Sequence, residues 1–479
     1  MSTTITINPP APASISHQLG PTTSSIELQQ LQQPSRVPSL LQDAQQPETG
    51  DAAAGSATVG TAVDAKQKWN EPRMNRWRVF ATFFSFVVMG ANDSAYGALI
   101  PYIEPYYHLT YTVVSLLFLA PFIGYVFAAA LNNAFHMRFG RRGVAAIGPA
   151  CHLVTFLVLA LHPPYPVIVC VCVLGGFGTG ILDAAWNAWI GNMASANELL
   201  GFLHGFYGLG ATLGPLIATT LVTKAGWQWY GFYYIMIGAG VIELSAALFT
   251  FWTENGEKFR REHPRTGNSK GGRTREALSN KVTWTVAIFL LCYVGVEVAL
   301  GGWIVTFMIQ VRRSNPFASG MSSVGFWMGI TVGRVVLGFV TGKIGEKLAI
   351  AMYLAISVGL ELLFWLIPQF IVSAVAVAFL GFFLGPLFPG AVIAATKLLP
   401  PHLHVSAIGF AAAFGGSGAA LLPFSVGAIA QAKGVQVLQP IILALLVVSL
   451  GLWGMLPKIT KTKKEDETTT GGEEGERLG

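Results

Sequence analysis

Apolar runs of about 20 residues follow one another from Arg76 to Lys458, broken by short polar turns. The pattern predicts twelve helices, at 76–102, 110–131, 143–161, 165–191, 199–222, 228–251, 283–311, 319–342, 348–367, 370–396, 404–431 and 435–457. Each is long enough to cross ~30 Å of hydrocarbon as a helix. The second six runs repeat the first. Val88-Met89-Gly90-Ala91-Asn92-Asp93 returns as Tyr293-Val294-Gly295-Val296-Glu297-Val298, 205 residues later, and Arg138-Phe139-Gly140-Arg141-Arg142 returns as Lys343-Ile344-Gly345-Glu346-Lys347 at the same offset. Gly201, Phe206, Gly208, Gly210 and Pro215 match Gly409, Phe414, Gly416, Gly418 and Pro423, displaced by 208. Many carriers build a pocket at mid-depth between two such repeats. The expectation is therefore an all-α polytopic membrane protein of two pseudo-symmetric six-helix bundles that moves a solute by alternating access.

Composition sharpens this picture. Hydrophobic residues make up 52% of the 479 and charged residues 11%. The mean hydropathy is +0.54, which excludes an ordinary soluble enzyme. A pI of about 9.1 would suit a nucleic-acid binder, but the distribution of charge argues otherwise. With the N-terminus inside, 25 Lys and Arg fall on one side and only Lys224, Arg312, Arg313 and Lys433 on the other. Positive residues favour the cytoplasmic side, so both termini and the central loop are expected there. The basic balance reports topology, and no nucleic acid is expected as a partner.

The predicted organisation is a disordered N-tail (1–75), a first bundle (76–252), a basic linker (253–282), a second bundle (283–458) and a disordered C-tail (459–479). The N-tail is rich in Ser, Thr, Gln and Pro and has no apolar period, so it cannot bury enough surface to fold. The first long apolar run begins only near Arg76, and a cleavable signal peptide is not expected. Cys151, Cys170, Cys172 and Cys292 all lie in apolar runs, as packed side chains rather than as a metal pair or disulfide.

A family resemblance enters at the loop after the second span. Asn133-Ala134-Phe135-His136-Met137-Arg138-Phe139-Gly140-Arg141-Arg142 resembles the signature of the major facilitator superfamily. Asn133 stands at the usual Gly and Met137 at the usual Asp, so the family's salt bridge through that Asp does not carry over. Arg138, Gly140, Arg141 and Arg142 do match, and the duplicate at Gly338, Gly342, Lys343, Gly345 and Lys347 strengthens the likeness. Within the superfamily the chain resembles the fucose–galactose–glucose:proton symporter branch, through Asn92-Asp93, Leu182-Asp183-Ala184-Ala185-Trp186-Asn187 and Tyr293-Val294-Gly295-Val296-Glu297. It is also similar to uncharacterised fungal transporters named after stop-codon bypass. The branch acid of the first span would stand at Gly97, so Asp93 is one turn displaced, and Asp183 and Asn187 transfer more directly.

A charge at a helix centre costs about +2.5–3.5 kcal/mol on insertion scales. Asp93, Asp183, Glu243, Glu297, Glu361 and Arg334 lie in predicted spans and need protonation, a partner or a wet cavity. Asp183, Trp186 and Asn187 share a helix face, which suits a polyhydroxylated ligand: hydrogen bonds for hydroxyls and a ring for a sugar's C–H face. The alternative is a helix–helix polar contact. Asp93 shares its face with Tyr96. Glu297 stands at the repeat position of Asn92 and either binds substrate or pairs with Arg334.

Asp183, Asp93 and Glu297 are accordingly the expected proton-coupling residues. Asn92, Tyr96, Trp186, Asn187, His204, Tyr207, Trp303 and Trp327 are the expected substrate contacts. Arg138, Gly140, Arg141, Arg142, Gly210, Gly214, Pro215, Arg334, Gly338, Gly342 and Gly345 are expected to act in structure or gating. The segment from Gly210 to Pro215 resembles the family's antiporter signature but also reads as a bend for close packing. The resemblance implies that the third, sixth, ninth and twelfth spans are peripheral, so Glu243 and Glu361 are expected near membrane interfaces. No phosphate-binding loop, nucleophile–base pair or metal cluster is evident in the sequence, so no enzymatic activity, cofactor or metal is expected.

The leading expectation is proton-coupled uptake of a small polar solute such as a monosaccharide, by a monomer in the lipid bilayer. The plasma membrane is favoured over a vacuolar or other organelle membrane. A proton-driven antiporter exporting organic molecules and a non-transporting solute sensor are the alternatives.

Overall fold

A computed structural model describes residues 67–262 and 270–457. The tails expected to be disordered lie outside the described residues, except that 67–75 are described and helix starts at Met74. Sixteen α-helices and two 3-10 turns are present among the described residues, without a strand. The first bundle holds α1 (Met74–Tyr106), α2 (Tyr111–Val114), α3 (Leu116–Ala160), α4 (Tyr165–Gly191), α5 (Ala196–Thr223) and α6 (Gly231–Phe251). Two short helices, α7 (Gly256–Glu262) and α8 (Lys270–Ser279), occupy the linker. The second bundle holds α9 (Lys281–Gln310), α10 (Pro316–Ile344), α11 (Glu346–Leu366), α12 (Phe370–Leu384), α13 (Leu387–Leu398), α14 (His404–Gly416), α15 (Gly418–Lys433) and α16 (Leu438–Met455).

Among the described residues, eleven continuous apolar helical runs are long enough to span a bilayer, and one of them, Tyr111–Ala160, has 50 residues. A straight helix of that length would measure about 75 Å, more than twice a hydrocarbon core. It bends at Gly140, whose φ of 66° and ψ of −168° belong to a region open essentially to glycine alone. The run is thus two antiparallel spans, making twelve. The equivalent turn in the second bundle also uses a positive-φ glycine, Gly345 at 100°. There the helix ends outright, and α10 and α11 are separate.

Both turns lie on one face, called here the basic face. The two bundles meet away from it. α5 packs on α10, α1 on α9, and α15 on α2 and the first arm of α3. These crossings are tight because glycine forms them: a Cβ at Gly97 would come within 1.9 Å of the Gly301 carbonyl, and one at Gly427 within 2.7 Å of the Ser115 side chain. At the far face the Tyr111 amide donates to Gln431 Oε1 at 2.8 Å, and Lys224 lies over the Phe317 ring at 4.5 Å. Along the α5–α10 contact a Cβ at Gly320 would meet Thr219 and one at Gly208 would meet Thr331, whereas nearer the basic face a Cβ at Gly201, Gly205, Gly338 or Gly342 would meet nothing within 4 Å, so the two helices part there. The molecule is closed at the far face and open at the basic one.

Candidate functional site

Polar side chains gather at mid-depth, where α1, α4, α5, α9 and α10 converge. Tyr207 of α5 donates to Asp93 Oδ2 at 3.1 Å. The Asn92 amide reaches Asp93 Oδ1 at 3.4 Å and the Tyr96 hydroxyl at 3.2 Å, while its own Oδ1 is buried without a partner among the described residues. The α1–α5 crossing brings these groups together. A Cβ at Gly90 would meet the Tyr207 carbonyl at 2.1 Å, one at Gly210 the Val87 carbonyl at 2.1 Å, and one at Gly214 the Ala91 carbonyl at 2.3 Å. Gly210 and Gly214, with Pro215 one residue on, therefore form a packing surface for α1.

Asp183 on α4 has the same kind of surroundings. The Tyr125 hydroxyl, on the first arm of α3, donates to Oδ2 at 2.5 Å. Asn187, one turn along α4, donates to Oδ1 at 2.8 Å and to the Asp183 carbonyl at 2.9 Å. Asp183 faces neighbouring helices, not lipid. It lies within electrostatic range of Asp93, and neither aspartate has a basic group in ion-pair contact among the described residues. Each carboxylate is held by a phenol and an amide, groups that bind the charged and the neutral acid alike.

Across the bundle boundary stands the second half of the site. Arg334 Nη2 of α10 is 3.6 Å from Glu297 Oε1 of α9, and its Nε donates to the Gly385 carbonyl at 3.3 Å. The Tyr293 hydroxyl sits beside this pair without a hydrogen bond of good geometry. Tyr207 is within electrostatic range of both Glu297 and Arg334. His204, one turn nearer the basic face, is exposed and feels the Arg334 charge.

Several expectations need correction. Trp186 does not present its ring beside Asp183: it is fully buried and stacks on Phe251 of α6 at 4.6 Å. Trp303 does not line the site either. It is fully buried, donates to the Pro423 carbonyl at 2.8 Å and packs on Tyr111 at 5.7 Å. Trp327 is buried against Gly301, with its Nε1 unpartnered. A Cβ at Gly338 or Gly342 would meet nothing within 4 Å, so no close helix crossing depends on either. Glu243 and Glu361 are packed among helices, at 1% and 0% exposed.

The basic face carries a separate cluster. Glu254, just past α6, is contacted by Arg78 at 3.0 Å, Arg141 at 2.9 Å and Lys258 at 2.5 Å. Burial alone would raise its carboxyl, but these three cations outweigh that and hold it below the usual range. Arg142 donates its amide to the Glu254 carbonyl at 2.8 Å and lays its guanidinium 3.6 Å from the Trp252 ring. The Arg138 carbonyl abuts Gly256. Tyr125 and the pair of His152 with Glu243 escaped sequence reasoning. Tyr125 sits in an unremarkable apolar run, and only the packing of α3 on α4 gives it a partner.

Comparison with known proteins decides the family. The model of the Major Facilitator Superfamily matches residues 82–423. The chain belongs to the major facilitator superfamily. "Bypass of stop codon protein 6" of Saccharomyces cerevisiae is 32% identical over 420 residues, covering 81% of this chain and 84% of the relative. A glucose/mannose transporter of Bacillus subtilis is 22% identical, covering 80% of this chain and 94% of its own. The crystal structure of a D-xylose-proton symporter superposes with a TM-score of 0.64 at 13% identity, over 80% of this chain and 98% of that one. As a member of the major facilitator superfamily the chain is a multi-pass membrane transporter, and its bundles supply the two moving parts that alternating access needs.

Proposed function

We propose that this transporter takes up a monosaccharide together with a proton, with Asp183 as the coupling residue and Asp93 as its partner. The observation that carries the reading is the matched pair of intramembrane aspartates, each held by a tyrosine and an asparagine and, among the described residues, neither by a cation. A carboxyl of this kind takes or gives a proton according to which side water reaches it. Glu297 differs, because Arg334 is already its neighbour, and its part is to fix that arginine. The amides and phenols of Asn92, Tyr96, Asn187 and Tyr207 offer the donors and acceptors that sugar hydroxyls require. The named activity of the Bacillus relative, transport of glucose and mannose, supports the same substrate class.

The surplus of Lys and Arg supports a cytoplasmic basic face, and on that reading the conformation described opens inward. We place the carrier in the plasma membrane as a monomer. Gly210 and Gly214 pack on α1 whatever the direction of transport, so the segment they share with Pro215 gives export no support.

The test is flux in proteoliposomes, after a screen of labelled monosaccharides. Asp183→Asn resembles the permanently protonated carrier. Uphill uptake driven by a pH gradient should vanish while exchange of labelled for unlabelled sugar persists, because exchange needs only the loaded carrier to rock. Asn187→Ala should weaken sugar binding and leave residual flux proton-dependent. Accumulation by Asp183→Asn would pass the coupling role to Asp93.

A further inference from the structure

A second titratable pair lies behind the two aspartates. His152, on the second arm of α3, is 3% exposed, and Glu243, near the middle of α6, is 1% exposed. His152 Nδ1 is 3.2 Å from Glu243 Oε2, and its Nε2 is 3.1 Å from the Thr179 hydroxyl of α4. Thr179 precedes Asp183 by four residues and so shares its helix face. His152 also lies within electrostatic range of Asp93. The groups around the imidazole are thus Glu243 from α6, Thr179 from α4, and Thr155 on its own helix, which is bonded to backbone carbonyls, with Asp93 of α1 in electrostatic range and Asp183 one turn beyond Thr179 on α4. Glu243 Oε1 has no partner among the described residues.

An imidazole between a carboxylate and a hydroxyl has two satisfied arrangements. Neutral, it donates from Nδ1 to Glu243 and accepts at Nε2 from Thr179. Cationic, it donates from both nitrogens, and the Thr179 hydroxyl must turn its hydrogen elsewhere. The α4 face that receives it carries Asp183. A mere anchor between apolar helices would be cheaper without ionisable groups.

We propose that His152, with Glu243 as its fixed counter-ion, is a second protonation site of the coupling machinery: a positioning residue that conveys its charge to Asp183 through the Thr179 hydroxyl and to Asp93 through space. The step is a proton gained from and returned to water, so no other reactant is needed. The inference rests on the reading of Asp183 as the coupling residue.

The test uses the full chain in proteoliposomes with radiolabelled D-glucose, or D-mannose or D-galactose where wild type prefers it. His152→Gln and Glu243→Gln should each displace the pH profile of uptake by about one unit. Exchange at fixed pH and KM should stay within twofold of wild type. Thr179→Val should reproduce the displacement and Thr179→Ser restore the profile. If the variants lower uptake and exchange equally at every pH with the profile unmoved, the pair is only an anchor and the inference fails. Should His152→Gln not reach the membrane, Thr179→Val and Thr179→Ser decide alone. Failure of the underlying reading is a different result: Asp183→Asn would then still accumulate sugar.

Discussion

The two repeats solve one task at the basic face with different chemistry. In each bundle a basic residue just after a positive-φ glycine grips the end of that bundle's sixth span. In the first, Arg141 reaches the Glu254 carboxylate and Arg142 lies over Trp252. In the second, Lys347 donates to the Trp453, Gly454 and Leu456 carbonyls at the end of α16, with its ammonium over the Trp453 ring at 5.8 Å. The tryptophan and the cation are kept, while the acceptor changes from a buried carboxylate to the carbonyl end of a helix. A carboxylate shared by three cations ties α1, the α3 bend, α6 and α7 into one rigid body. A lysine on a helix terminus fixes only that terminus. The first bundle should therefore suffer more when its turn is disturbed.

The largest expected effect separates the two glycines. Gly140→Ala adds a Cβ 2.3 Å from the Asn255 carbonyl carbon on top of a backbone strain of about 1–3 kcal/mol, and should cost more than ~3 kcal/mol in all. Gly345→Ala carries the strain of its φ of 100° and should cost about 1–3 kcal/mol. Thermal unfolding of the purified protein in detergent measures both, and equal losses would break the comparison.

Next in size is Glu254→Gln, which leaves Arg78 and Arg141 without their shared anion and should cost about 3 kcal/mol. The pH dependence has a definite sign. Because the folded carboxyl titrates below its ordinary range, its stabilisation is complete above that range and fades as pH falls through the folded value. Wild type should thus lose stability on acidification more steeply than Glu254→Gln, and parallel unfolding curves would show the cluster to be idle.

The smallest effect belongs to Lys347→Met. It removes hydrogen bonds to neutral carbonyls and a favourable charge at a helix C-terminus, together about 1 kcal/mol. A loss as large as that of Glu254→Gln would show that the second bundle relies on its latch as heavily as the first.

Much of the architecture was legible in the chain. Twelve apolar runs and their fixed-offset repeat dictated the bundles, because a backbone in hydrocarbon has to bond to itself and a helix does so within one segment. Gly140 and Gly345 were visible only as matching glycines of the repeated loop motif, and their positive-φ turns came from the structure. The site was legible only in part. The polar faces of α1 and α4 announced Asp93, Asp183 and Asn187, since an ionisable group in a span is costly wherever it points. Helical spacing then misled over Trp186. Asp183, Trp186 and Asn187 are close in angle, yet a tryptophan is large enough to lean onto the next helix, and Phe251 was there to receive it.

What the sequence alone determined is therefore whatever one helix settles by itself: span length, repeat, the position of each costly charge, and the side that gathers Lys and Arg. Tertiary structure decided the partners. Tyr125 for Asp183, Tyr207 for Asp93, His152 for Glu243 and the convergence of Arg78, Arg141 and Lys258 on Glu254 all join residues that no spacing relates. The physical reason is that a helix's period fixes the direction of a side chain from its own axis, whereas its partner depends on how closely neighbouring helices approach. Here that distance is set by glycines at the crossings, such as Gly90 against Tyr207 and Gly97 against Gly301.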